Sequence, residues 1–356
     1  MSNESTESAA SSGQGYRRRS AVRVAILGAV FAGVVFVALL DMVLGPANLT
    51  WSEMWSTVWH PAASDPIHRT ILWSFRLPTM LLAISVGAAL GVAGAEMQTI
   101  LNNPLASPFT LGISAAASFG AAIVLVGGAS TMAWGGAWLV PISAFVFTLL
   151  CALAIYFIGR RNGASTDTIV VGGVALHFLF SSGVAFLQFV AAEDALQAIV
   201  FWIFGSLQGA NWTNVAIVSA VLLVVCLVLS RNAWQLTALR LGDEHAQSLG
   251  VNVAQVRLQT LVLVSIVTAT AVCFTGTIGF VGLVAPHVAR SLVGEDQRFF
   301  MPLSGLLGAI LVCAADVISK SLVPETTFPI GIVTAAIGAP CLAFIALAMR
   351  RAYQCP

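Results

Sequence analysis

Charge is what this chain of 356 residues has least of: Asp, Glu, Lys and Arg together make up 9% of it, against about a quarter of an ordinary soluble domain. A water-soluble fold of this length could not cover its surface with so few charges, so that class is excluded. Lysine is nearly missing, and Lys320 is the single example. A phosphate-binding G-x-x-x-x-G-K loop therefore cannot be built. If the protein uses ATP, another subunit must bind it. No H-E-x-x-H or G-x-S-x-G motif occurs, which leaves an intramembrane hydrolase without support. Six cysteines are present (Cys151, Cys226, Cys273, Cys313, Cys341 and Cys355) with no C-x-x-C pair. Most lie inside apolar runs and read as helix filler rather than as disulfide partners or metal ligands. A net charge of +1 gives no reason to expect a nucleic-acid partner.

What the chain does have is apolar sequence, 58% of its residues. A hydrocarbon core about 30 Å thick takes about 20 apolar residues per helix. Ten candidate spans satisfy this, near 21–44, 77–99, 109–127, 138–158, 167–190, 212–230, 256–275, 278–293, 299–318 and 329–349. The eighth is short and contains Gly and Pro. The segment 196–210 is too short to span and reads as an interfacial helix carrying Trp202. The 31 glycines suit close helix packing in lipid. The predicted fold is thus all-α and polytopic: a disordered cytoplasmic tail over 1–20, a ten-helix domain over 21–350, and a short cytoplasmic end over 351–356.

The basic residues test this count. With the N-terminus inside and strict alternation, thirteen of the 16 Lys and Arg fall on the inner side. The exceptions are Arg69, Arg76 and Lys320. Basic residues concentrate in short cytoplasmic loops, so both termini are expected in the cytoplasm. The outer segment 45–75, with Trp51, Trp55, Trp59 and Trp73, is expected to be partly helical along the membrane surface.

Outer basic residues run against the rule. Arg76 and Lys320 read either as a dock for acidic side chains of an external partner or as lipid-phosphate contacts and local ion pairs. Ionisable groups within the apolar spans are few: Asp41, Glu96, Asp167, His177 and Asp316. They form no evident mid-depth carboxylate relay, which weakens the case for a proton-coupled carrier. His177 reads as a hydrogen-bonded packing residue or as a ligand for iron or haem. The most polar internal loop, 231–255, holds a short amphipathic segment Asp243–Leu249 between Gly242 and Gly250. Two readings stand: a lever held by a cytoplasmic partner, and an ordinary solvated loop.

Four motifs in order resemble one family. RLPTMLLAISVGAALGVAGAEMQTILNNPLASPFTLGIS (Arg76–Ser114), ALRLGDEHAQSLGV (Ala238–Val251), GTIGFVGLVAPHVARSLVGEDQR (Gly276–Arg298) and AADVISK…FPIGIVTAAIGAP (Ala314–Pro340) look like the FecCD-type permeases. These are the membrane subunits of ABC importers for ferric siderophores, haem and cobalamin. The resemblance covers roughly 21–350. It implies a type II ABC importer permease of ten helices in the inner membrane of a bacterium, working as a dimer with a second copy or a paralogue. It implies two ATPase subunits carrying ATP and Mg inside, a substrate-binding protein outside, and no cofactor or metal resident on this chain.

The same resemblance assigns roles by position. Leu241, Gly242, Asp243, Glu244, Ala246, Leu249 and Gly250 match the helix that couples to the ATPase. Arg76 and Lys320 match docking positions for the binding protein. Ser165 and Thr166 fall at the cytoplasmic gate. Gly172, Gly173 and His177 fall on the helix lining the translocation pathway. Two departures stand out: Thr79 replaces a second arginine after RLP, and Thr327 and Phe328 stand where a glutamate is common before Pro-Ile-Gly. Asn102, Asn103 and Pro104 are expected to form a structural turn in which the Asn side chains satisfy freed backbone groups.

Overall fold

The computed structural model describes residues 2–44, 50–62, 64–128, 136–161, 163–322 and 328–352, with the side chains of 2–17, 136–137 and 345–352 outside the description. All regular structure among the described residues is helical. The chain runs through α1 (Ser2–Val43), α2 (Trp51–Trp59), α3 (Pro66–Thr70), a wide π-type turn (Ile71–Arg76), α4 (Leu77–Ile100), α5 (Ile113–Val126), α6 (Gly136–Arg161) and α7 (Thr166–Val190). It continues through α8 (Glu193–Phe204), α9 (Trp212–Arg231), α10 (Ala233–Leu239), α11 (Asp243–Ser248), α12 (Val253–Thr275), α13 (Val281–Val293), α14 (Gln297–Leu322) and α15 (Ile330–Ala352).

Seven helices among the described residues are long and apolar enough to cross a membrane: Arg18–Val43, Pro66–Ile100, Trp138–Arg161, Thr166–Val190, Trp212–Arg231, Val253–Thr275 and Gln297–Leu322. Three shorter apolar helices, Ile113–Val126, Val281–Val293 and Ile330–Phe344, coincide with the other three predicted spans. The segment expected at the interface is helix α8, which begins earlier, at Glu193, because Glu193 and Asp194 sit favourably at its positive N-terminus. The outer segment is helical in α2 and α3. Thr50 opens α2 with a complete capping box, and Trp51, Trp55 and Trp59 remain more than half exposed. The expected tail over 1–20 falls largely on residues whose side chains lie outside the description.

α4 is the spine. It packs most extensively against α14, and also against α12, α13 and α9. Its sequence explains why. Gly87, Gly91 and Gly94 recur at helical spacing on one face. A methyl group added to any of them would overlap backbone: the Gly308 carbonyl, the Ser304 carbonyl and the Gly282 carbonyl respectively. Small residues in lipid-embedded helices permit such contact, where van der Waals packing replaces the hydrophobic effect. A second packing group forms around α5, which contacts α6, α7 and α8. α12 touches both groups, through α4 on one side and α6 on the other.

Candidate functional site

At one end of the bundle the basic residues converge on the C-terminus of α4. The last carbonyls of a helix lack partners and carry partial negative charge. Here they are met by arginines: Arg240 Nη1 donates to the Gln98 carbonyl at 3.4 Å, and Arg257 Nε donates to the Ile100 carbonyl at 2.7 Å. Arg240 also pairs with Glu295 and donates to Asn102 Oδ1 at 2.9 Å. Arg290 Nη2 donates to Gln98 Oε1 at 2.9 Å, and its guanidinium lies over the Phe300 ring. Gln297 Nε2 donates to Thr99 Oγ1 at 2.6 Å. α1 joins through Arg23, 3.3 Å from Asp296.

The loop motif is built on this network. α11 is a six-residue helix, Asp243–Ser248, with Leu249 closing it. Gly242 (φ 97°) and Gly250 (φ 83°) flank it in a backbone region that favours glycine. Ala246 is fully buried, whereas Leu241 and Leu249 are more than half exposed. One face thus rests on the bundle while two large apolar side chains project outward. Asp243 Oδ1 accepts from Arg257 Nη2 at 2.8 Å.

The expected gate residues stand next to the same arginine. Ser165 immediately precedes α7 and Thr166 is its first residue. Ser165 is exposed, and its hydroxyl donates to Thr168 Oγ1 at 2.7 Å. The preceding residue, Ala164, is buried with φ 58°. Its carbonyl accepts from Arg257 Nη1 at 2.7 Å.

Further along α7, Gly173 presses on Leu111 and Gly172 faces Ile158. Gly112 seats against the backbone of His177. These three positions bring α7 close to α5 and α6. His177 stacks edge-on to Phe178, with centroids 5.7 Å apart. The opposite face of α7 is open: Val171, Phe178, Leu179, Phe186 and Phe189 are all more than 60% exposed.

The opposite end of the bundle holds a smaller charged cluster around Lys320. Lys320 Nζ lies 2.8 Å from Asp41 Oδ1 and 2.5 Å from Asp316 Oδ2. Asp41 is fully buried, and Asp316 nearly so. Arg76 is also buried; Nη1 donates to the carbonyls of Met42 at 2.6 Å and Val43 at 3.1 Å, capping the end of α1. Above them opens a cavity of about 430 Å³ whose lining includes Arg76, Thr79, Gln208, Lys320 and Phe328. Both basic residues expected to face a partner therefore hold contacts within the chain, and for Lys320 the local ion pair is realised. Thr327 lies outside the described residues.

Sequence reasoning missed Arg257 as a site residue and counted it only as inner charge. Its signal was position: an arginine four residues inside the apolar helix that starts at Val253. Asn103 behaves as expected, its Oδ1 accepting from the Leu105 amide at 2.9 Å. Asn102 differs: it adopts φ 46° and its side chain accepts from Arg240, because the crowded helix end presents it to that guanidinium rather than to freed backbone.

Comparison with known proteins bears out the resemblance. The model of the FecCD transport family matches residues 33–348. The chain is 34% identical over 319 residues to the hemin transport system permease protein HmuU of Yersinia pestis, covering 89% of this chain and 95% of that one. It is 34% identical over 325 residues to the Fe(3+)-citrate import system permease protein YfmE of Bacillus subtilis, covering 90% and 94%. A solved structure of a metal-chelate type ABC transporter in an inward-facing conformation superimposes with a TM-score of 0.80 at 28% identity, covering 91% of this chain and 99% of that one.

Proposed function

The chain belongs to the FecCD transport family, and from that premise we propose that it is the membrane-spanning subunit of an ATP-driven importer for an iron chelate, a ferric siderophore above others. The chain crosses the inner membrane ten times, with both termini in the cytoplasm and the arginine-rich end facing inward. Two ATPase subunits bind ATP and Mg and dock there. A second copy or a paralogue completes the pathway, and a substrate-binding protein delivers cargo from outside.

The observation that carries this reading is α11. It is short, flanked by glycines in left-handed conformations, and anchored through Ala246 and Asp243 while Leu241 and Leu249 stay exposed. Two apolar side chains projecting from an anchored element suit insertion into a cleft of another subunit, where they would remove apolar surface from water. Glu244 adds charge beside them. Ser165 and Thr166 form the inner gate, small enough to part without large steric cost. Gly172, Gly173 and His177 shape the pathway wall by letting α7 seat tightly on α5 and α6. Arg76 and Lys320 border the outer cavity, and acidic side chains of the binding protein compete there for the contacts these two now make within the chain.

Transport follows alternating access: closure of the ATPases moves α11, and the gate switches in response. The permease itself makes and breaks no covalent bond. Haem is the second reading for the cargo, favoured by the extent of the match to the hemin permease.

The test is reconstitution with the partner ATPase and binding protein in proteoliposomes, offering ferric siderophore, haemin and cobalamin in parallel. ATP-dependent uptake of the ferric siderophore supports the proposal. Uptake of haemin alone moves the assignment to haem. Uptake driven by an ion gradient without ATP overturns the importer reading.

A further inference from the structure

Arg257 joins three elements that belong to different parts of the fold. Its guanidinium is almost wholly buried. Each nitrogen goes to a different place: Nε to the Ile100 carbonyl at the end of α4, Nη1 to the Ala164 carbonyl, and Nη2 to Asp243 Oδ1 at the start of α11. All three contacts are 2.7–2.8 Å long. A guanidinium is planar and its donors have a fixed fork geometry. If one partner moves, the fork must turn or break, and the other two feel it.

The location makes that rigidity consequential. Arg257 lies on α12, the helix that packs against both the α4 group and, through α6, the α5 group. Ala164 is held in a left-handed conformation (φ 58°) that costs a non-glycine residue of order 1 kcal/mol. Something must over-determine that conformation. Two bonds do so: the Ala164 amide donates to the Gly159 carbonyl at 2.7 Å, and the Ala164 carbonyl accepts from Arg257. The residue after it is Ser165, and α7 begins at Thr166.

We propose that Arg257 is the positioning residue that transmits movement of the α11 segment to the Ser165–Thr166 segment, through Asp243 on one side and the Ala164 carbonyl on the other. The proposal rests on the reading of α11 as the ATPase contact and of Ser165–Thr166 as the gate. It adds the physical link between them. The Ile100 contact is the fixed point, because α4 is locked by its glycine face to α13 and α14. Displacement of Asp243 therefore rotates the guanidinium about Nε and changes its hold on Ala164. Loss of that hold releases the left-handed turn, and the start of α7 shifts.

The test uses the full chain assembled with its ATPase partner and carrying Ser165→Cys. Labelling of residue 165 by a maleimide is followed by peptide mass spectrometry, nucleotide-free and trapped with ATP and vanadate. With Arg257 and Asp243 intact, trapping changes the labelling rate by about fivefold or more, the scale of an ordinary coupling free energy. Asp243→Ala, which removes the Oδ1 acceptor from a side chain that is 48% exposed, brings the two rates to within about twofold. Arg257→Lys, which keeps charge but loses the fork, does the same. An Asp243→Ala complex that assembles, traps nucleotide and keeps the full rate change overturns the relay, whatever Arg257→Lys does. Absence of any rate change in the parent complex instead overturns the gate and coupling reading on which the relay stands.

Discussion

Replacing Lys320 with Met separates a residue that holds the fold from one that only meets a partner. The ammonium stands between two carboxylates, 2.8 Å from Asp41 and 2.5 Å from Asp316. Those side chains are 0% and 6% exposed. At an effective dielectric of about 20, each attraction at this range is worth roughly 6 kcal/mol before desolvation is counted. Desolvation of three charges cancels most of that, so the cluster contributes little net stability over an apolar equivalent. Truncating one partner is different, because the carboxylates stay behind. We expect Lys320→Met to lose about 3–5 kcal/mol. Adding Asp41→Asn and Asp316→Asn to the same chain removes the stranded charge and recovers most of the loss. Denaturant unfolding in mixed micelles measures both variants against wild type. A Lys320→Met protein within about 0.5 kcal/mol of wild type would refute the reasoning, since that is the range of surface substitutions.

Gly94→Ala places a methyl group on the Gly282 backbone and is expected to cost at least about 1–3 kcal/mol by overpacking. Gly28→Ala meets nothing within 4 Å and should be neutral or stabilising by up to about 1 kcal/mol through helix propensity; equal thermal shifts for the two would discount the glycine face. At α2, Thr50 donates from its hydroxyl and its amide to the Glu53 carboxylate and holds its pKa below the ordinary 4.5. A depressed carboxylate stabilises fully above its unfolded pKa and loses that contribution as pH falls through the folded value, so amide protection across Trp51–Trp59, taken relative to the intrinsic exchange rate at each pH, should fall below pH 4.5 in wild type and show no such step in Glu53→Gln. Arg76→Glu removes the Nη1 group and its two charged hydrogen bonds to the Met42 and Val43 carbonyls, at about 1.5–3 kcal/mol each. Exchange at the end of α1 should rise, and capture of the binding protein should weaken, whereas Arg76→Lys should preserve part of both.

Some of this was legible in the sequence and some was not, for physical reasons. The helices were legible because lipid forces long apolar runs, and each predicted span coincides with an apolar helix. α5 and α13 fall short of crossing length because glycines bound them, Gly112 and Gly127 for one and Gly294 for the other, whereas α15 is long enough and its side chains are described only as far as Phe344. α11 was legible through its bracketing glycines, which mark backbone conformations that L side chains rarely adopt. The partners of Lys320 were not. Asp41 lies 279 residues away in the chain, and no local pattern announces a pairing between α1 and α14. Arg257 was missed for the same reason: its three acceptors come from the α4 end, the turn before α7 and α11. A basic residue inside an apolar run signals that partners exist, not which they are.

The packing also says where motion can occur. α4, α13 and α14 meet backbone to backbone at Gly87–Gly308, Gly91–Ser304 and Gly94–Gly282. Such contacts leave no side-chain slack, so these helices move as a unit or not at all. α5 with α6, α7 and α8 forms the other group, which also meets backbone at Gly120–Ser143 and Gly112–His177 and adds side-chain contacts such as Phe119 on Phe147 and Phe180. A displacement applied at α11 must be absorbed between the two groups. α12 is the helix that touches both, and at its α11 end the structure places a single buried guanidinium bound to a carbonyl of each group, Ile100 on α4 and Ala164 between α6 and α7. Under the relay proposed above, a switch at that joint breaks a few hydrogen bonds rather than repacking a core, so a modest push on α11 is expected to move the start of α7.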